Sequence, residues 1–172
     1  MKEKTIYFIG GIHGVGKGTL CKELEKEYHV EHVTASELLK WKEISTIANK
    51  NVNNIQTTQD RLLLSLESLP TNNYLLDGHF CLFNSDGVPE RIPLETFKRI
   101  NPKVIALVRE DLEVISSRLE SRDSKKYDIK KLEMMQKMEL EYAIEVSQFL
   151  RIPFVEVNQN DLMHLTKLLP KR

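Results

Sequence analysis

The chain has 172 residues, a length that suits one domain built on a single hydrophobic core. Its 25 basic and 25 acidic residues cancel, which argues against non-specific nucleic-acid binding, because that needs a basic surplus to neutralise phosphates. Cys21 and Cys81 form no Cys-x-x-Cys pair, so neither a four-cysteine zinc module nor a disulfide framework is expected; no apolar run has the length of a signal-peptide core or of a bilayer span, so a cytoplasmic location and no membrane partner are expected.

The elements alternate in type. Thr5–Ile9 is nearly all apolar, as a strand buried on both faces should be. It runs into Gly10–Gly16, after which Leu20, Leu24 and Tyr28 at spacing four predict a helix. A second strand is expected near Val30–Thr34. The next helix is expected to start near Ser36, a capping residue type, and to carry Leu38, Leu39 and Trp41. Asn49–Asn54 reads as a polar loop, followed by a helix with Leu62, Leu66 and Leu69 that ends at Pro70. Tyr74–Asp77 is a third strand, and Asn84–Pro93 reads as a loop turning at Asp86-Gly87. Lys103–Val108 is a fourth strand, Asp111 caps a helix with Leu112, Ile115 and Leu119, and Ser121–Asp128 is a short charged connection. A long helix then carries Ile129, Leu132, Met135, Tyr142, Val146 and Leu150. Phe154–Val157 is a fifth strand, and Asn160 or Asp161 caps a last helix with Leu162, Leu165 and Leu169. Strand and helix in alternation predict an α/β fold in three layers, with a five-stranded parallel sheet joined by right-handed crossovers. Ligands of such sheets sit at the carboxyl ends of the strands, where Gly10–Gly16, Asp77 and Arg109 fall.

Gly11-Ile12-His13-Gly14-Val15-Gly16-Lys17 fits the phosphate-binding pattern Gly-x-x-x-x-Gly-Lys, with an apolar strand before it and an amphipathic helix after it. Glycines let such a loop turn its N–H groups onto phosphate oxygens, the helix N-terminus adds a positive end, and Lys17 adds a cation for the outer phosphates. The glycine spacing, and a lysine that motif does not need, argue against a dinucleotide turn. Lys17 is expected to be exposed. The general pattern places Ser or Thr directly after the lysine as a Mg²⁺ ligand; here Gly18 stands there and Thr19 follows.

Gly16-Lys17-Gly18-Thr19 resembles the loop of adenylate kinases and related nucleoside monophosphate kinases, with His13 in the place of the family's proline. Thr34-Ala35-Ser36-Glu37-Leu38-Leu39-Lys40 is similar to the family's Ser-Thr-Gly-Asp-x-x-Arg at the monophosphate site, with Lys40 in the place of the arginine. Asp77-Gly78-His79-Phe80-Cys81 is similar to Asp-Gly-Phe-Pro-Arg, with Cys81 where an arginine would grip the acceptor phosphate. Asp77-x-His79 looks more like the short-lid branch, which includes archaeal-type adenylate kinases and the adenylate-kinase-like ATPases of ribosome assembly. Arg118 and Arg122 match the family's two lid-helix arginines and lie on one helical face. The resemblance implies one P-loop kinase-like domain over 1–172, with acceptor-side helices at about 35–70 and a short lid at about 121–130.

The resemblance implies Mg²⁺ and ATP. Gly11, His13, Gly14, Val15, Gly16, Lys17, Gly18, Thr19 and Arg118 would hold the nucleotide, and Asp77 and Thr19 would serve the metal. Ser36, Lys40, Gln59 and His79 would meet a small-molecule nucleotide acceptor. Lys17, Asp77, Arg118 and Arg122 would carry catalysis, with Lys125, Lys126, Lys130 and Lys131 closing over the phosphates. The expected reaction is transfer of the γ-phosphoryl group of ATP to a nucleoside monophosphate. Two alternatives stay open. One is a kinase of a nucleoside or other small alcohol, with Glu37 or Asp77 as base. The other is an ATPase or nucleotide-binding module that acts with a protein or ribonucleoprotein partner.

Overall fold

The computed structural model describes residues 3–39, 55–84, 86, 88–158 and 160–172. Five strands form one parallel sheet: β1 (Thr5–Gly10), β2 (Glu31–Thr34), β3 (Asn73–Asp77), β6 (Val104–Val108) and β7 (Phe154–Val157), in the spatial order β2-β3-β1-β6-β7. The centre of this order is the most apolar part of the sequence. All five residues of β6 are buried, as are Ile6–Gly10 of β1 and Tyr74–Leu76 of β3. Such strands bury both faces and therefore need helices on both sides, which gives the three-layer α/β/α architecture.

The helices are α1 (Lys17–Glu27), α2 (Ile55–Ser68), α3 (Leu94–Ile100), α4 (Leu112–Asp123), α5 (Ile129–Leu150) and the four-residue α6 (Met163–Thr166). Helix α1 packs on β2 and β3, while α5 packs on β6 and β7. The Asp111 carboxylate caps α4 by accepting from Glu113 N–H at 2.9 Å, as expected from its position before the apolar face. Asp128 does the same for α5 through Lys130 N–H. Helix α4 continues to Asp123 and ends at Ser124 in the left-handed conformation, so the connection to α5 is only residues 124–128.

Two local expectations are corrected. Asn84–Pro93 is not simply a loop, because Cys81–Phe83 (β4) pairs antiparallel with Pro89–Arg91 (β5). The side chain of Asn84 organises the turn by accepting from the N–H groups of Asp86 and Val88. Three-residue strands carry too short a pattern to be read from alternation. The helical turn at 35–39 is capped by Thr34, whose hydroxyl accepts from Glu37 N–H at 3.0 Å, and Ser36 lies inside the turn, exposed. The expected polar loop Asn49–Asn54, and Trp41, lie outside the described residues.

The core is continuous from α1 through the sheet to α5. Phe8, Phe80, Phe97 and Tyr142 form an aromatic cluster with ring centroids 5.0–6.4 Å apart. This cluster sits beneath the segment that leaves β3, and a Cβ on Gly10 would meet the Phe80 ring at 2.3 Å. The loop after β1 is therefore seated directly on the aromatic core. Among the described residues no helix is long and apolar enough to cross a membrane.

Candidate functional site

The loop between β1 and α1 crosses the carboxyl edge of the sheet. Gly11, Gly14 and Gly16 all have positive φ, at 142°, 81° and 99°. At Gly14 the requirement is steric as well, since an added Cβ would lie 2.8 Å from Leu119 Cγ. Left-handed backbone costs a side-chain-bearing residue about 1–2 kcal/mol before any clash. Gly14→Ala should therefore destabilise the protein by about 2 kcal/mol or more, read as a lower midpoint in urea denaturation.

The loop closes around Lys17. Its ammonium donates to Gly11 O at 2.6 Å and Ile12 O at 3.2 Å and stands 4.0 Å from Asp77 Oδ1. Lys17 is 8 % exposed, so the expected exposed lysine is in fact buried. The reason is geometric: the loop carbonyls wrap the side chain, which sequence spacing does not reveal. Burial lowers the Lys17 pKa, and the nearby carboxylates of Asp77 and Glu139 oppose that shift.

Asp77 ends β3 beside Thr34 of β2 in the sheet register. Its Oδ2 lies 3.4 Å from His32 Nε2, and potential ligand atoms of Cys21, His32 and Asp77 lie within 4.8 Å of one another. Burial drives the Cys21 thiol far above its usual pKa, with the Asp77 charge adding to the effect. Thr19 and Asp77 line the same cavity and offer oxygen donors, the donor type that suits Mg²⁺.

That cavity has a volume of about 400 Å³. It gathers most of the sequence-predicted site: His13, Gly14, Gly16, Lys17, Gly18 and Thr19 from the loop and α1, Ser36 after β2, Asp77 and His79 after β3, and Arg118 from α4. Gly11 and Val15 are buried behind its wall. Arg118 donates to Gly14 O and Val15 O at 3.3 Å and pairs with Glu110 at 3.2 Å, so it is already fixed against the loop.

Arg122 is not in this cavity. One turn further along α4, it donates from Nε and Nη2 to Asp123 and faces a neighbouring cavity. Gln59 is buried on α2, and its Oε1 has no hydrogen-bond partner among the described residues. Lys40 lies outside the described residues. Arg109 pairs with Glu156 at 2.8 Å and lines a separate small cavity with Glu110 and Asn158. His13 and His79 meet ring to ring at 4.4 Å. Burial takes the His79 pKa down to about 2 and also lowers that of His13, and Lys17 pushes both the same way.

Glu139 was missed by the sequence reading. It lies on the apolar face of α5, between Met135 and Tyr142, and is 1 % exposed. Its Oε1 accepts from Phe80 N–H at 2.9 Å and Cys81 N–H at 2.8 Å, which fixes the chain as it leaves β3. Burial raises its pKa to about 7, against the opposing pull of the two backbone donors and Lys17. The available signal was a carboxylate on an otherwise apolar helical stripe, which needs a buried partner to be tolerated.

No curated protein sequence matches the chain. A family model described as an AAA domain matches residues 10–136, from the end of β1 into α5. That stretch contains the glycine loop, Lys17, Asp77 and Arg118, and the family is one of P-loop NTPase domains that includes adenylate- and nucleotide-kinase-like proteins. With most of its length matched and the phosphate loop seated on a five-stranded parallel sheet, the chain belongs to this AAA-domain family of P-loop nucleotide-binding proteins.

Proposed function

We propose that the protein moves the γ-phosphoryl group of Mg-ATP to a nucleoside monophosphate. The observation that carries this reading is the convergence of Lys17, Asp77 and Arg118 on one cavity floored by the glycine loop. In such transfer a phosphate oxygen of the acceptor forms a bond to the γ-phosphorus while the bond to the β–γ bridging oxygen breaks and ADP leaves. Little covalent work falls to the protein, so positioning and charge stabilisation supply the rate.

Lys17 would exchange its two carbonyl partners for phosphate oxygens. Gly14 and Gly16 hold the backbone open for N–H donation to the same anions. Arg118, held by Glu110 and the loop carbonyls, brings a planar donor to the edge of the cavity with little ordering left to do. Asp77 and Thr19 would hold Mg²⁺ through their oxygens, and the ion would supply charge neutralisation at the phosphates. His32, hydrogen-bonded to Asp77, orients that carboxylate. His32→Ala should therefore raise the Mg²⁺ concentration needed for half-maximal turnover several-fold while leaving the fold intact, which a Mg²⁺ titration of the rate would read.

The first test is incubation with Mg²⁺ and ATP, with and without a panel of nucleoside monophosphates, followed by chromatography. A diphosphate appearing in step with ADP supports the reading. ADP and free phosphate formed equally with and without every acceptor would defeat it and favour the ATPase module with a protein or ribonucleoprotein partner. The observation on the side of that module is the pair Asp77 and His79 after β3, both lining the phosphate cavity.

A further inference from the structure

A second cavity, of about 630 Å³, adjoins the phosphate cavity. The two share Ile12, His13 and His79, so the tilted histidine pair stands at the boundary between them. The floor of the second cavity is apolar and buried, made by Cys81, Leu119 and Met135. Leu82 and Phe83 of the β4–β5 hairpin form one wall, and Leu132 of α5 forms the other. Its rim is basic, with Arg122, Lys125, Lys126 and Lys131 against Asp128. Arg122 is engaged by Asp123, and Lys125 lies over the Tyr127 ring at 5.1 Å. Lys126 and Lys131 have no ion-pair partner among the described residues. None of the described residues of the presumed acceptor helices, 35–70, lines this cavity.

Resting on the kinase reading above, we propose that this hairpin–lid cavity is the acceptor's seat, and that it takes a phosphomonoester with a planar or apolar body whose phosphate oxygen reaches the γ-phosphoryl group past the exposed side of His13. Three features support it. The cavity's size suits a nucleotide-sized molecule. Its apolar floor with an under-paired basic rim is complementary to a ligand that is apolar at one end and anionic at the other. It also adjoins the phosphate cavity beside the glycine loop, with Ile12, His13 and His79 lining both.

Phe83, half exposed on the hairpin, and Leu132 are then specificity-determining residues that contact the acceptor's body and not the donor.

The experiment compares the full-length protein with Leu132→Trp, which fills the cavity, and Phe83→Asp, which opposes an anionic apolar ligand at an exposed position where folding is not at risk. Calorimetry measures binding of phenyl phosphate to the ADP-loaded protein, and turnover is measured with the most active nucleoside monophosphate. The expected result is saturable phenyl phosphate binding that weakens at least tenfold in both variants, a parallel rise in the acceptor KM, and an ATP KM unchanged within twofold. Acceptor-dependent turnover with the acceptor KM unchanged in both variants overturns the cavity assignment and leaves the kinase reading standing, as does failure of phenyl phosphate to bind. Acceptor-independent release of ADP and phosphate overturns the kinase reading itself, and this proposal with it.

Discussion

Replacing Lys17 by methionine is expected to lower the rate of ADP formation from Mg-ATP by at least about 10²-fold, the cost of removing one preorganised donor aimed at developing charge. Methionine keeps the length and volume of the side chain but removes the charge and the donors. The structural cost is small by comparison. The lost hydrogen bonds to Gly11 O and Ile12 O are offset in part by relief of a buried, desolvated ammonium, whose depressed pKa reports that penalty. Thermal melting of the variant should therefore stay within a few degrees of the parent while turnover collapses. Unchanged turnover would mean that the phosphates are not held by this loop.

The second large effect concerns Glu139 and pH. The folded protein raises its pKa to about 7 from an ordinary value of 4.5. A raised carboxyl binds its proton more tightly when folded, so its contribution is fully present below about pH 4.5 and is lost as pH rises through about 7. Between pH 5 and 8 this loss should reach about 2–3 kcal/mol. His79 acts in the opposite direction: its pKa is depressed to about 2, so protonation of the unfolded chain below about 6.5 favours unfolding in acid. Both slopes are present in the parent protein, and only that of His79 remains in Glu139→Gln. Denaturant titrations of the two proteins at pH 5 and 8 should give a stability difference that changes by about 2–3 kcal/mol in favour of the variant at the higher pH. A constant difference would show that the carboxyl titrates normally and that its burial is relieved in solution.

The two predictions concern the same structural unit. Glu139 holds the N–H groups of Phe80 and Cys81, so it sets the path of the chain that carries Asp77 and His79 past the phosphate loop. Phe80 in turn supports Gly10 from below. The loop is therefore held between a buried carboxylate and an aromatic cluster, and its glycines are required by contact as much as by conformation.

The five parallel strands were readable from sequence because a strand buried on both faces is a short apolar run, and β1, β3 and β6 are such runs. The phosphate loop was readable because its chemistry is local: glycines with positive φ, a lysine and a helix start all lie within nine residues of one another. The Asp111 cap was legible for the same reason, since its partner is two residues away. What depends on distant partners was not. Glu139 is 58 and 59 residues from the amides it binds, and Arg118 is more than 100 residues from the carbonyls that fix it. Arg122 shares a helical face with Arg118, yet one further turn and the neighbouring Asp123 direct it to another cavity. Sequence alone therefore determined the sheet, the loop and the class of ligand, all of which follow from periodicity and local backbone chemistry. Only the tertiary structure decided the burial of Lys17, the role of Glu139, and the second cavity behind His13 and His79, because packing and long-range hydrogen bonds join residues that no spacing rule connects.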